Sequence, residues 1–156
     1  MQETVNVGFR KEHPQAVIPV QQTPGSAGSD LCAVIEEGEF TLLPWQRHLF
    51  STGLAMIIPK GFEVQIRPRS GLAIKHGVTV LNAPGTVDSD FSGTVGVILI
   101  NLSDTPFCIS HLDRIAQMVV SPVVGFTGHE TDQVIMTERG SGGFGSTGTG
   151  TPGLQS

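Results

Sequence analysis

Apolar and polar residues alternate along residues 4–9, with Val5, Val7 and Phe9 on one face, and this period of two predicts a strand. Short apolar runs recur at 31–34, 39–43, 46–51, 54–58, 62–66, 94–100, 105–109, 114–120 and 133–136. Pro44, Gly53 and Pro59-Lys60-Gly61 separate the earlier ones, and residues 12–23 read as a loop carrying Pro14 and Pro19. Residues 70–76 admit a short helix, because Leu72, Ala73 and Ile74 are tolerable in one. Neither a long amphipathic helix nor a repeat is visible. Many short strands punctuated by glycine and proline predict an all-β fold, a jelly-roll-like β-barrel or sandwich. From Arg139 onward the chain turns to Gly, Ser and Thr, which cannot build a core. A domain over 1–138 and a flexible tail over 139–156 are therefore expected.

One stretch stands out from this pattern: Asn82-Ala83-Pro84-Gly85-Thr86-Val87-Asp88-Ser89-Asp90-Phe91-Ser92-Gly93. Pro84-Gly85 is turn chemistry, and the segment reads as a tight β-hairpin. It crowds an amide, two carboxylates and an aromatic ring onto one bend. Rigid bends hold polar groups in fixed geometry, as a binding site requires. An ordinary polar turn is the structural alternative.

Charge and composition narrow the choices. A net charge of -5 argues against a duplex nucleic-acid binder, which needs a basic face. A mean hydropathy of +0.10 points to apolar surface covered between subunits. Cys32 and Cys108 match no metal-ligand spacing and are expected to be reduced core thiols. No apolar run approaches the roughly 20 residues of a membrane span, and the polar opening is no signal peptide. A soluble protein of a reducing compartment is expected, cytoplasmic, or nuclear in a eukaryote.

Five segments carry more polar and glycine residues than folding needs. In Ala27-Gly28-Ser29-Asp30-Leu31, small residues allow close approach. Asp30 could hold backbone N–H groups, or water around a metal; a carboxylate pinning a turn is the equal alternative. Arg67-Pro68-Arg69-Ser70-Gly71-Leu72-Ala73 holds two of only six arginines beside a hydroxyl and a helix start, all good phosphate donors. An arginine paired with a neighbouring carboxylate is the alternative. The third segment is the 82–93 stretch, where Asp88 is a candidate general base for a water. In Asp113-Arg114-Ile115-Ala116-Gln117-Met118, Gln117 lies in an apolar strand and needs a partner, either a ligand or the backbone. Arg139-Gly140-Ser141-Gly142-Gly143-Phe144-Gly145-Ser146-Thr147-Gly148 offers glycines, hydroxyls and an arginine to phosphates, and Phe144 to a base. It lacks the Lys-Ser/Thr of a Walker A loop.

Taken in order and spacing, these five segments resemble the trimeric deoxyuridine triphosphatase (dUTPase) family over about residues 5–148. The resemblance implies a jelly-roll β-barrel, a homotrimer with active sites shared among three subunits, and Mg²⁺-assisted hydrolysis of dUTP to dUMP and pyrophosphate. Such an activity limits uracil entry into DNA and supplies dUMP for dTMP synthesis. By position, Asp88 would activate the water that attacks the α-phosphorus. Asn82 and the backbone of Gly85 and Val87 would read the uracil edge, and Phe91 would pack on the deoxyribose. Arg69, Ser70, Gly71 and Gln117 would bind phosphates. The tail would close as a lid, with Phe144 over uracil, Arg139, Ser146 and Thr147 on the γ-phosphate, and Gly145 among the substrate-binding residues. No direct protein ligand to the metal is implied, and Asp30 is the one residue that could reach it, through water. The family usually has tyrosine where this chain has Phe91, and the chain contains no Tyr at all. The ring face that excludes ribose is retained and the phenol hydroxyl is lost.

Two rival readings share the fold. A dCTP deaminase would need a glutamate on the strand after the bend, and residues 94–100 contain no carboxylate. A catalytically silent nucleotide-sensing or protein-interaction module need not keep Asp88, Arg69, Gln117 and the tail together.

Overall fold

The computed structural model describes residues 4–143. It contains ten strands and one helix: β1 (Gly8–Lys11), β2 (Ser29–Cys32), β3 (Glu39–Leu42), β4 (Arg47–Ile57), β5 (Phe62–Arg67), α1 (Ser70–His76), β6 (Val78–Val80), β7 (Gly85–Val87), β8 (Thr94–Asn101), β9 (Phe107–Ser110) and β10 (Arg114–Pro122). Every pairing is antiparallel. One sheet runs β1-β4-β8-β6, the second β2-β10-β5-β7, and β3 pairs with β9. No two strands adjacent in sequence pair with each other, so successive strands pass between sheets instead of folding into hairpins.

The segment over 82–93 is accordingly not the expected hairpin. β6 pairs with β8, whereas β7 pairs with β5 in the other sheet. Val78 and Val80 before the bend, and Val87 after it, are buried in one core. Burial on both sides of the bend leads its arms to different sheets. The Ala83–Pro84 peptide within it is cis.

The core takes one face from each sheet: Phe50, Met56, Val95, Val97 and Leu99 from the first, and Leu31, Val64, Ile66, Ile115 and Met118 from the second. Along β8, Val95, Val97, Leu99 and Asn101 are buried, while Ile98 and Ile100 on the other face are half-buried. Asn101 has its polar atoms satisfied. Its Nδ2 donates to the Leu42 and Thr105 carbonyls, and its Oδ1 accepts from the Ser103 amide.

Gly53 does not separate two strands as expected; β4 runs through it. Gly53 has φ +65, and its register against β8 shifts between Ser51 and Ala55. The Thr52 hydroxyl donates to the Val95 carbonyl at 2.7 Å and holds the bulge. Beyond it, β4 pairs with β1. The helix over 70–76 forms as expected and stops at Gly77, which has φ 64 and donates its N–H to the Ala73 and Leu72 carbonyls. The first strand begins only at Gly8; Val5, Val7 and Phe9 are half-buried and Asn6 exposed as the alternation expects, but Gly8 is half-buried too.

The chain divides into two compact units, Met1–Val124 and Gly125–Ser156. The strand expected over 133–136 is absent. Val134, Ile135 and Met136 are 81, 84 and 90 % exposed, and no strand among the described residues pairs with them. Cys32 and Cys108 are both free, but Cys108 lies exposed on β9 and is not a core thiol. No helix among the described residues is long and apolar enough to cross a membrane.

Candidate functional site

Strand alternation places Gln65 and Arg67 on the outer face of β5 and turns Val64 and Ile66 into the core. Across the sheet, Arg67 pairs with Gln117, and Gln117 pairs with Asp30. Directly opposed residues share a face. Asp30, Gln117 and Arg67 therefore form one polar row perpendicular to the strands.

Asp30 is the anchor of this row. Its Oδ1 lies 3.0 Å from Arg69 Nε and its Oδ2 lies 3.2 Å from Arg114 Nη1. Arg69 also donates to the Arg114 carbonyl at 2.8 Å. The carboxylate is only 22 % exposed, so the pairing is better shielded than a surface ion pair. Of the two sequence readings of Asp30, the one this geometry favours is a carboxylate pinning its neighbours. Beside it, burial first and then the Asp30 charge push the Cys32 thiol above its ordinary pKa.

Gln117 finds its partner in the backbone, its Nε2 donating to the Pro68 carbonyl at 2.8 Å. Gly28 makes this possible: a methyl group there would overlap Gln117 Oε1. Ser70, at the start of α1, is exposed and joins Gln117 in a groove of about 470 Å³ that Gln65, Arg67, Pro68, Ala83 and Pro84 also line. Arg69, Ser70 and Gln117 are thus brought to one end of one sheet, with Gly71 next to Ser70.

The bend supplies a second and separate hollow of about 170 Å³, lined by Thr86, Val87, Asp88, Phe91, Val95 and Gly96. Asp88 is exposed and its carbonyl accepts from the Phe91 amide at 3.1 Å, closing a turn that points ring and carboxylate outward. Phe91 is 46 % exposed. Its Cζ would stand 2.8 Å from a Cβ at Gly93, so the absence of a side chain there lets the ring lie back. Asn82 is exposed, with Nδ2 close over the buried Gly85. The two hollows share no lining residue.

Among the described residues no group of three or more His, Cys, Asp or Glu converges as a metal cage. In the second unit, Arg139 Nε donates to the Gly142 carbonyl at 2.9 Å, within a turn closed by Thr137 and Gly140. Phe144, Gly145, Ser146 and Thr147 lie outside the described residues. Gly28 lies in the segment of small residues expected to allow close approach and does so against Gln117, while Gly93 and the Pro68 carbonyl position predicted residues without having been singled out. Their roles depend on cross-strand neighbours that local spacing does not name.

Comparison with known proteins agrees across sequence and fold. The dUTPase family model matches residues 14–148. A deoxyuridine 5'-triphosphate nucleotidohydrolase of Roseobacter denitrificans is 56% identical over 131 residues, 84% of this chain and 86% of the relative. The enzyme of that name in Treponema denticola is 53% identical over 140 residues, 90% of this chain and 96% of its own. The solved Staphylococcus bacteriophage 80alpha dUTPase with dUPNHPP superposes with a TM-score of 0.82 at 22% identity, over 93% of this chain and 99% of that one. A mutant dUTPase from phage phi11 of S. aureus, solved with the coordination of a structural Mg(II) ion, gives 0.74 at 18% identity over 83% and 98%. These structures bear out the all-β, jelly-roll-like fold.

Proposed function

The chain belongs to the dUTPase family, and from that premise we infer that it hydrolyses dUTP to dUMP and pyrophosphate at sites completed between copies of the chain. The observation that carries the shared site is the separation of the two hollows. Asp88 and Phe91 line one, Ser70 and Gln117 the other. A single nucleotide needs both sets, so Asp88 of one copy is read as facing the phosphate groove of another. A closed jelly-roll barrel and a three-fold homotrimer accommodate this. The outward Leu49 and Ile57 of β4, 62 and 68 % exposed, are apolar surface that an assembly would cover.

In this reading Asp88 accepts a proton from the water attacking the α-phosphorus. Asn82 and the backbone of Gly85 and Val87 hold the uracil edge, and the Phe91 ring packs on the deoxyribose. Arg69, steered by Asp30, binds the phosphates with Ser70, Gly71 and Gln117. When bound on the triphosphate, Mg²⁺ neutralises phosphate oxygens that an acidic protein would otherwise repel. A single aspartate is a weak base, so most of the rate comes from placing the water in line and stabilising phosphoryl charge. Residues 139–147 close over the nucleotide, Arg139, Ser146 and Thr147 toward the γ-phosphate and Phe144 over the base. Such ordering costs conformational entropy, so it occurs with the triphosphate present.

Asp88→Asn tests the base. The variant is expected to bind dUTP with near-normal affinity by calorimetry while pyrophosphate release falls nearly to background. Near-wild-type release would remove Asp88 from the role.

A further inference from the structure

We propose that Arg67 is a further substrate-binding residue, taking oxygens of the terminal phosphates in the groove it shares with Ser70 and Gln117. The proposal rests on the dUTP-hydrolase reading and gives a role to Arg67, one of the two arginines of residues 67–73, to which the family resemblance assigns none.

Arg67 closes β5 facing outward, directly opposite Gln117. Its Nε and Nη2 both donate to Gln65 Oε1, at 3.1 and 2.7 Å. Gln65 in turn donates to Glu63 Oε1 at 2.7 Å. The guanidinium is thus aimed by a neutral amide, and one edge of the fork stays open. Open guanidinium edges bind phosphate in paired, charge-assisted hydrogen bonds.

The charges favour the same role. Arg69 and Arg114 share the single carboxylate of Asp30, which cancels half of their charge. Arg67 has no carboxylate within ion-pair distance among the described residues. It therefore brings a full positive charge to a groove whose proposed ligand carries several negative ones.

The test compares wild type, Arg67→Gln and Arg67→Lys in Mg²⁺-dependent pyrophosphate release and in calorimetric titration with inorganic tripolyphosphate. Loss of a charge-assisted contact predicts a KM for dUTP raised about tenfold in Arg67→Gln, with kcat within about threefold. Tripolyphosphate affinity falls by a similar factor, and inhibition by dUMP is unchanged because dUMP lacks the terminal phosphates. Arg67→Lys recovers part of the loss, since it restores charge without the fork. The proposal is overturned by a KM and a tripolyphosphate affinity that both stay within about twofold of wild type in Arg67→Gln, or by an equal loss of dUMP affinity. If wild type releases no pyrophosphate yet binds tripolyphosphate through Arg67, the hydrolase reading falls and the Arg67 site stands.

Discussion

Replacing Gly28 by alanine isolates how the first segment serves the site. A methyl group there overlaps Gln117 Oε1 and stands 3.1 Å from Cδ. The colliding atoms are the far end of a flexible side chain, so the backbone need not move. The carboxamide must swing away, and its 2.8 Å bond to the Pro68 carbonyl is lost. One such bond contributes about 0.5–1.5 kcal/mol, and for a chain of this size that lowers Tm by only about 1–6 °C. The functional effect is larger, because displacing a substrate-positioning group by about 1 Å can cost up to ~100-fold in rate. The expectation is a 10–100-fold fall in kcat/KM for dUTP, as an order of magnitude, with a small fall in Tm. Steady-state pyrophosphate release and thermal denaturation measure the two. If Gly28 acts through Gln117, adding Gly28→Ala to Gln117→Ala costs little more. Activity of Gly28→Ala within about twofold of wild type, or losses that add fully in the double variant, would refute the reasoning.

Other expectations follow from single contacts. His111 Nδ1 accepts the Ile35 amide at 3.1 Å, so His111→Ala strands that donor and costs about 1–3 kcal/mol in urea unfolding. His111→Asn, which keeps an acceptor oxygen, recovers much of it; equal losses would locate the cost elsewhere. Deleting residues 139–156 should leave the proposed trimer intact by sedimentation equilibrium and cripple turnover, and an unchanged kcat/KM would remove the lid. Cys108 is exposed, whereas Cys32 is half-buried with its thiol pKa raised by burial and by Asp30. The Cys108 thiol is raised as well, by desolvation and the neighbouring Glu39, so exposure decides the order, and at neutral pH a disulfide reagent should label Cys108 first. Equal labelling rates would contradict the packing of β2.

The sequence revealed most where the signal is local. The helix over 70–76 was legible because Leu72, Ala73 and Ile74 are tolerable in one, and the structure adds Gly77 as its left-handed stop. The runs at 39–43, 62–66 and 114–120 became β3, β5 and β10 because apolar residues fill both the pattern and the core. What failed was pairing. Pro84-Gly85 looks like a hairpin turn, yet the partners of β6 and β7 lie in different sheets, a choice made by distant core residues. Gly53 looks like a break and is a bulge, because β8 and β1 take up the two halves of β4 in turn. Val134-Ile135-Met136 has strand composition but pairs with no strand among the described residues. Among the candidate site residues, Arg69, Ser70 and Gln117 stood out in the sequence by their chemistry. That Gly28 and Arg67 both bear on Gln117 needed the register, which sets Gln117 between Asp30 and Arg67.

Mixing two inactive variants tests the shared site most directly. Asp88→Asn keeps the phosphate groove intact, and Gln117→Ala keeps the base. If each site joins the two features from different copies, co-refolding equal amounts should rebuild both in about one site in four. The account predicts pyrophosphate release from dUTP near a quarter of the wild-type rate. Activity no greater than the mean of the two parent variants would contradict it.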